Sequence, residues 1–203
     1  VAGSSLAINW MDEHVPAIVD AWYPGEAGGT AIADVLFGDY NPAGRLPFTF
    51  YKSVTDLPDM DDYEVSNGRT YMYFEGDVLY PFGYGLSYTK FEYDTLKVKS
   101  KADKITVTTT VKNIGKYKGD EVVQLYFKAI HPSEKRPLKK LIGFKRESLE
   151  VGASKTITFD VSKKELEFWD EKTKKWTFEE GDYEFMIGAS SKDIRVQKTK
   201  AIK

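Results

Sequence analysis

Cysteine is absent from the 203 residues, so disulfides and thiolate chemistry are excluded. Histidine occurs only at His14 and His131, and two such distant residues argue against a His-rich metal site. No apolar run approaches the roughly 20 residues that a membrane-spanning helix needs. We therefore expect no metal, no cofactor and no membrane span.

The beginning of the chain lacks both an initiator methionine and a signal-peptide pattern. Val1-Ala-Gly-Ser-Ser has neither a basic start nor an apolar segment. These features predict a processed product or a fragment. A bacterial periplasmic or secreted location and a cytoplasmic one both fit, because an export signal would precede Val1.

Charge is divided unevenly along the chain. Residues 1–92 carry 4 Lys/Arg and 14 Asp/Glu, whereas residues 93–203 carry 25 Lys/Arg and 17 Asp/Glu. In the basic part the lysines alternate with acids and β-formers, and no basic cluster has interleaved aromatics. This pattern favours a solvated sheet face over a nucleic-acid surface. The opposite charges also predict that the two parts attract each other or dock on a common partner.

Residues 1–51 have an α/β pattern. Asp12 is expected to cap a helix over Glu13–Asp20, with a proline in its first turn. A second helix is predicted over Thr30–Phe37, with Gly38 at the left-handed position that follows it. The alternation of Arg45–Tyr51 then predicts a strand.

Residues 52–92 have the composition of an extended, aromatic-rich connector. A flexible linker would not contain so many rings, so we expect them to hold the segment against a folded surface. Nine aromatic residues fall within positions 71–93: Tyr71, Tyr73, Phe74, Tyr80, Phe82, Tyr84, Tyr88, Phe91 and Tyr93.

Residues 93–203 are predicted to be all-β. About seven short strands in roughly 110 residues indicate an immunoglobulin-like or fibronectin III-like sandwich. Trp169 and Trp176 flank a charged turn and are expected to pair across a hairpin. The clearest alternating segments are Lys104–Lys112, Glu121–Ala129, Lys155–Val161 and Tyr183–Ala189.

Three separated stretches, in order, resemble the C-terminal portion of glycoside hydrolase family 3, the β-glucosidases and β-xylosidases. Residues 22–50 read WYPGEAGGTAIADVLFGDYNPAGRLPFTF and resemble the end of that family's α/β-sandwich domain. The stretches GRTYMYF and LYPFGYGLSYTKFEY resemble the connector that leads into the third domain of that family. The stretches LIGFKRESLEVGASKTITFDV and EEGDYEFMIGASSKDIR are similar to its fibronectin type III-like domain. Val1-Ala2 resembles the tail of a sheet strand.

The resemblance implies a retaining, exo-acting β-glycosidase that cleaves terminal β-linked sugars with two carboxyl groups. It also implies that both catalytic carboxyls lie upstream, the nucleophile in an N-terminal barrel. That barrel portion, in the same or a separate chain, would be the partner, and a β-linked glucoside or xyloside oligosaccharide the substrate. The 203 residues alone are then expected to be inactive. The sequence does not distinguish glucose from xylose.

Glu26 is the one carboxylate of residues 1–51 that we considered for catalysis. It follows Pro24-Gly25 near a helix start, where a general acid is one interpretation. The favoured interpretation is structural, because a carboxylate there interacts with the free N–H groups of the helix. Asp61, Asp62 and Glu64 lack the spacing of a calcium loop and are expected to be solvated.

Four further residues are candidates for the rim of a substrate site. Trp22 and Tyr23 have the chemistry to stack on a sugar, and Arg69 and Tyr71 to line the edge of a pocket completed by the upstream part. Packing at a domain interface is favoured for both pairs. Two other functions remain open, a non-catalytic carbohydrate-binding module that uses Trp169 or Trp176 and a protein-interaction module.

Overall fold

The computed structural model describes residues 3–203. Three short helices precede the sandwich: α1 at Asn9–His14, α2 at Gly28–Phe37 and α3 at Thr70–Tyr73. Strand β1, Phe50–Tyr51, lies between α2 and α3, and strand β2, Val78–Tyr80, follows α3. The two strands pair antiparallel with each other. Most of the backbone before the sandwich is irregular. The position of this part of the chain therefore depends on side-chain contacts.

The helix predictions had different outcomes. Helix α2 is confirmed, and Gly38 follows it with a φ of +87°. The helix predicted over Glu13–Asp20 is wrong, because α1 ends at His14. Val15 is extended, with φ of −114° and ψ of 138°, as expected for a residue before proline.

The strand predicted over Arg45–Tyr51 is wrong except for its last two residues. Leu46 instead exchanges backbone hydrogen bonds with a turn further along the chain, at Gly83 and Tyr84. Pro47 also has no N–H for a sheet ladder. The predicted strand tail at Val1-Ala2 lies outside the described residues.

The rest of the chain is a sandwich of two four-stranded antiparallel sheets, as the sequence predicts. One sheet has the order β12-β11-β6-β7, and in the other β5 pairs with β3, β4 and β8. A small hairpin of β9 and β10 lies outside both sheets. The strands are β3 Phe91–Tyr93, β4 Lys97–Lys101, β5 Lys104–Asn113, β6 Gly119–Ala129, β7 Lys140–Leu149, β8 Ser154–Ser162, β9 Phe168–Asp170, β10 Lys175–Thr177, β11 Gly181–Gly188 and β12 Ile194–Ile202.

All four segments with clear alternation form strands, namely β5, β6, β8 and β11. Their inward residues, such as Ile105, Leu125 and Phe185, are fully buried between the sheets. Strand β12 gives a weaker signal because it is an edge strand with several lysines and exposed positions. Together the chain is an α/β segment followed by a fibronectin III-like sandwich.

Strand β6 is buried on both of its faces. Val123, Leu125 and Phe127 point into the core, while Gln124 and Tyr126 alternate with them on the outer face of the sheet. Both outer residues are nonetheless buried, at 3% and 0% exposure. The connector covers this outer face, and it therefore creates the interface that positions the candidate residues.

Candidate functional site

Tyr71 anchors the connector to the outer face of the sheet. Its ring stacks on Phe82 at a centroid distance of 4.3 Å and meets the edge of Tyr126 at 5.9 Å. The Tyr71 hydroxyl accepts a hydrogen bond from the backbone N–H of Leu141 at 3.1 Å. Burial raises the pKa of the Tyr71 hydroxyl, and this hydrogen bond opposes the shift. Tyr71 therefore packs at an interface in this chain.

The turn Pro81-Phe-Gly-Tyr-Gly85 joins the α/β segment to the sandwich, and we call it the glycine turn. Gly83 has a φ of +81°, a conformation that side chains other than glycine disfavour. Its carbonyl accepts a hydrogen bond from Gln124 Nε2 at 3.0 Å, and its N–H donates to the Leu46 carbonyl at 2.8 Å. The turn thus binds both parts of the chain.

Gln124 is held in place by two further hydrogen bonds. Its Nε2 also donates to the Ala189 carbonyl at 2.6 Å, and its Oε1 accepts from the Tyr126 hydroxyl. Because this buried amide uses both its donor and acceptor groups, its conformation is fixed. Gln124 therefore connects β6, the glycine turn and the loop that follows β11.

A buried ion pair crosses the same interface. Arg45 Nη2 lies 3.0 Å from Glu121 Oε2, and their side chains are only 9% and 4% exposed. The Tyr93 hydroxyl donates to the other carboxylate oxygen at 2.6 Å. Burial raises the pKa of Glu121, while the hydrogen bond from Tyr93 and the charge of Arg45 lower it. Burial likewise raises the pKa of Tyr93.

Asn41 makes a third connection, in the turn that precedes Arg45. Its Nδ2 donates to the Lys118 carbonyl at 2.9 Å, next to the start of β6. Its Oδ1 accepts from Ser87 Oγ at 3.0 Å and from the Tyr88 N–H at 2.8 Å. One amide therefore joins the α/β segment, the connector and the sandwich.

Trp22 and Tyr23 lie in the α/β segment and have different environments. Trp22 has a positive φ of +53°, its N–H donates to Asp20 Oδ1, and its indole meets Phe48 edge-on at 5.3 Å. Tyr23 is 80% exposed. Neither residue contacts the connector residues Arg69 and Tyr71 through a hydrogen bond or ring pair within residues 3–203.

Glu26 is exposed and precedes α2 by two residues. The N-cap position is Ala27, and no side chain caps this helix. Within the described part of the chain, the Glu26 carboxylate makes neither a hydrogen bond nor an ion pair. Its placement supplies no partner that would orient it for proton transfer, which general acid–base catalysis requires.

Arg69 organises the acidic loop that precedes α3. Its Nη2 donates to the carbonyl oxygens of Asp59 and Asp62 at 2.7 and 2.6 Å, and more distantly to that of Pro58. Hydrogen bonds from Asn67 and the Glu64 N–H lower the pKa of Asp62. Arg69 therefore shapes a loop, and its hydrogen bonds leave it little freedom to line a pocket.

No group of three or more His, Cys, Asp or Glu side chains within residues 3–203 is arranged to hold a metal ion. Burial raises the pKa of the Glu121 carboxyl. The residue is only 3% exposed, however, and its carboxylate already binds Arg45 and Tyr93. In the same range, no helix is long and apolar enough to cross a membrane.

The interface residues Asn41, Arg45, Glu121 and Gln124 were not singled out from the sequence. Asn41 lay only within the stretch that resembles family 3, Arg45 only at the start of the predicted strand, and Gly83 only within the connector. A stronger signal lies in β6, where the polar residues Glu121 and Gln124 stand within a strongly apolar strand. Arg45 and Gly83, their partners across the interface, are more than 40 residues away in sequence and could not be read from spacing.

Two family models match separate parts of the chain. The family model of the glycosyl hydrolase family 3 C-terminal domain matches residues 1–88. The model of the fibronectin type III-like domain matches residues 121–191. The chain belongs to glycosyl hydrolase family 3. It corresponds to a C-terminal part of these proteins.

Family 3 relatives match nearly the whole chain. A xylan 1,4-beta-xylosidase of Xylanibacter ruminicola is 46% identical over 199 residues, which are 97% of this chain and 23% of the relative. The thermostable beta-glucosidase B of Acetivibrio thermocellus is 38% identical over 213 residues, 97% of this chain and 28% of the relative. The chain thus spans about a quarter of the length of these curated relatives.

Solved family 3 structures share the fold. The beta-glucosidase of Kluyveromyces marxianus, in complex with glucose, superposes with a TM-score of 0.94 at 38% identity, covering 100% of this chain and 26% of that one. The Beta-D-glucoside glucohydrolase of Trichoderma reesei gives 0.92 at 32% identity, covering 98% and 32%.

Proposed function

We propose that this chain acts as the C-terminal part of a retaining, exo-acting β-glycosidase, a β-glucosidase or β-xylosidase that removes terminal β-linked sugars. Its role in that enzyme is structural. It completes the α/β domain and braces it through the glycine turn and the sandwich. Relatives named as β-glucosidases and β-xylosidases support this role.

Exposed apolar surface on residues 3–88 carries the proposal. Phe37 and Leu36, at the end of α2, are 84% and 61% exposed. Neighbouring large apolar side chains left exposed at the end of a helix indicate a surface that another part of the protein covers. Fifteen large hydrophobic residues in this region are exposed: Leu6, Trp10, Met11, Val19, Tyr23, Leu36, Phe37, Tyr40, Val54, Leu57, Met60, Tyr63, Val65, Leu86 and Tyr88.

The partner in this proposal is the upstream part of the enzyme, which in the relatives accounts for most of their length. It would cover the α2 face and supply both catalytic carboxyls, which in retaining enzymes stand about 5–5.5 Å apart. The candidate rim residues Trp22, Tyr23, Arg69 and Tyr71 would then act mainly in packing.

The test is a chimera in which residues 1–203 replace the corresponding part of the Xylanibacter ruminicola relative. We expect the purified chimera to hydrolyse an aryl β-xyloside or an aryl β-glucoside, and the 203-residue chain alone to hydrolyse neither. Phe37→Ser should lower the yield of active chimera, because it places a hydroxyl at the apolar end of α2, which the upstream part covers in the chimera.

Phe144→Ser is the matched control, because Phe144 is 66% exposed and lies on β7 of the sandwich. This change should leave the activity of the chimera unaltered. Turnover by the isolated chain would refute the assignment of its chemistry to the upstream part. A folded chimera without activity would refute the structural role.

A further inference from the structure

An open groove of about 450 Å³ lies beside the sandwich, away from the glycine turn. It is bounded by Tyr73 of α3, by the loop around Arg136 and by the β9–β10 hairpin. Its aromatic lining includes Phe168, Trp169 and Trp176. A groove of this volume suits a ligand of one or a few rings.

The two tryptophans form a platform on one wall of the groove. Trp169 and Trp176 are paired positions of the hairpin, as the sequence predicts, with ring centroids 5.9 Å apart and planes at 71°. Because the rings are nearly perpendicular, a flat ligand ring can stack on only one of them at a time. Trp176 is 64% exposed against 43% for Trp169, so Trp176 presents the larger stacking surface.

Arg136 holds the wall of the groove next to the tryptophans. Its side chain is 8% exposed, and its Nη2 binds Glu179 at 2.8 Å. Its guanidinium also lies over the Phe168 ring. Its Nε, however, is buried and has no partner within residues 3–203. Because this Nε is withdrawn from solvent, a ligand in the open groove does not reach it, and Arg136 instead supports the Phe168 wall of the groove.

The charge of the groove favours a neutral ligand. Four carboxylates and four cationic side chains line it, and they balance. Some already pair, as Glu134 does with Lys172 at 2.9 Å. A nucleic-acid strand would require an excess of positive charge. A neutral polyhydroxy chain instead matches aromatic faces interspersed with donors and acceptors.

We propose that this groove binds a neutral β-linked glucan or xylan chain, with a sugar ring stacked on the exposed face of Trp176. The β linkage rests on the proposed function, whereas the stacking and the neutrality rest on the groove itself. This surface would hold the polysaccharide from which terminal sugars are removed.

Affinity electrophoresis of the 203-residue chain tests the site. Gels contain mixed-linkage β-glucan, arabinoxylan or, as the α-linked control, dextran. We expect at least one β-linked polymer to retard the chain and dextran to leave it unretarded. Trp176→Ala should raise the apparent dissociation constant about tenfold, and Trp176→Phe should keep part of the retardation.

Phe144→Ala is the matched control, because this equally exposed aromatic does not line the groove. It should leave retardation unchanged. Absence of retardation on both β-linked polymers, equal retardation on dextran, or full retardation of Trp176→Ala would each overturn the proposal. The chimera should be retarded as well, and loss of binding there would show that the groove is covered.

The groove site and the enzyme role can fail separately. Binding is measured on the chain without turnover, whereas the proposed function is measured by aryl glycoside hydrolysis in the chimera. A chimera that is active but not retarded contradicts only the groove. A chain that is retarded while its chimera is folded and inactive contradicts only the enzyme role.

Discussion

At the scale of single residues, the interface depends on a few buried polar groups. Opposite overall charges on the two parts of the chain predicted attraction, but most ion pairs here are exposed and contribute little. Arg45 and Glu121 are different, because both are withdrawn from water and Tyr93 completes the carboxylate's hydrogen bonding. Removing one member of such a pair leaves the other charge uncompensated.

Arg45→Met should lower the free energy of unfolding by about 3–5 kcal/mol at neutral pH. Without Arg45, the pKa of Glu121 rises further above its ordinary range. The folded state then binds this proton more tightly than the unfolded chain, so its ionisation destabilises the fold above the raised pKa. The deficit should therefore shrink as pH falls from 8 to 5, which urea unfolding at both pH values measures.

Lys104→Met is the control for this prediction. Lys104 also forms an ion pair, with Asp160 at 3.0 Å, but both side chains are more than half exposed. Solvent screens such a pair, so we expect little change in stability at either pH. An Arg45→Met deficit that stays constant or grows on acidification would contradict the role given to Glu121.

At the scale of elements, the connector turns a half-exposed sheet face into an interior. Alternation in β6 predicted one buried face, and the inward residues confirm it. The outer face is buried as well because the glycine turn and Tyr71 pack on Gln124 and Tyr126. The expectation that aromatic rings hold the connector against a folded surface agrees with the contact of Tyr71 on Tyr126 of β6.

Gly83→Ala should destabilise the chain more than a positive φ alone explains. An added Cβ would overlap the side chain of Gln124, in addition to the backbone strain. Loss of the Gln124 hydrogen bonds should add about 1–3 kcal/mol to a strain of about 1 kcal/mol. Urea unfolding of the variant and the parent gives the difference.

Gly152→Ala separates the two contributions. Gly152 has a similar φ of +78°, but its added Cβ would meet no atom within 4 Å. This variant should show the strain alone. Equal losses for the two variants would mean that contact between the glycine turn and Gln124 contributes nothing to stability.

At the scale of the whole molecule, the two parts differ in how they bury apolar surface. The sandwich has a continuous core that joins both sheets. Residues 3–50 have little hydrophobic core of their own, because α1 contains no buried residue and α2 buries only Gly28. The sandwich should therefore form the stable unit of this chain, and the α/β segment should open more readily.

Hydrogen exchange on the isolated chain checks this difference. Amides of β5, β6 and β11 should exchange at least about a hundredfold more slowly than those of residues 3–50. In the chimera, α2 should gain protection because its apolar face is covered. Uniform strong protection across residues 3–50 in a monomer would show that this segment needs no partner.

The residue pattern by itself predicts the sandwich, its clearest strands, α2 and the family. It does so because alternation, helical periodicity and turn residues act over a few neighbouring positions. The tryptophan hairpin follows in the same way. The end of α1 and the irregular course of Arg45–Pro47 needed the structure, since a proline and distant hydrogen bonds override local preference there. The pairing of Arg45 with Glu121 and of Gly83 with Gln124 depends on contacts between segments that are distant in sequence. Those contacts exist only once the α/β segment and the connector have packed on the sandwich.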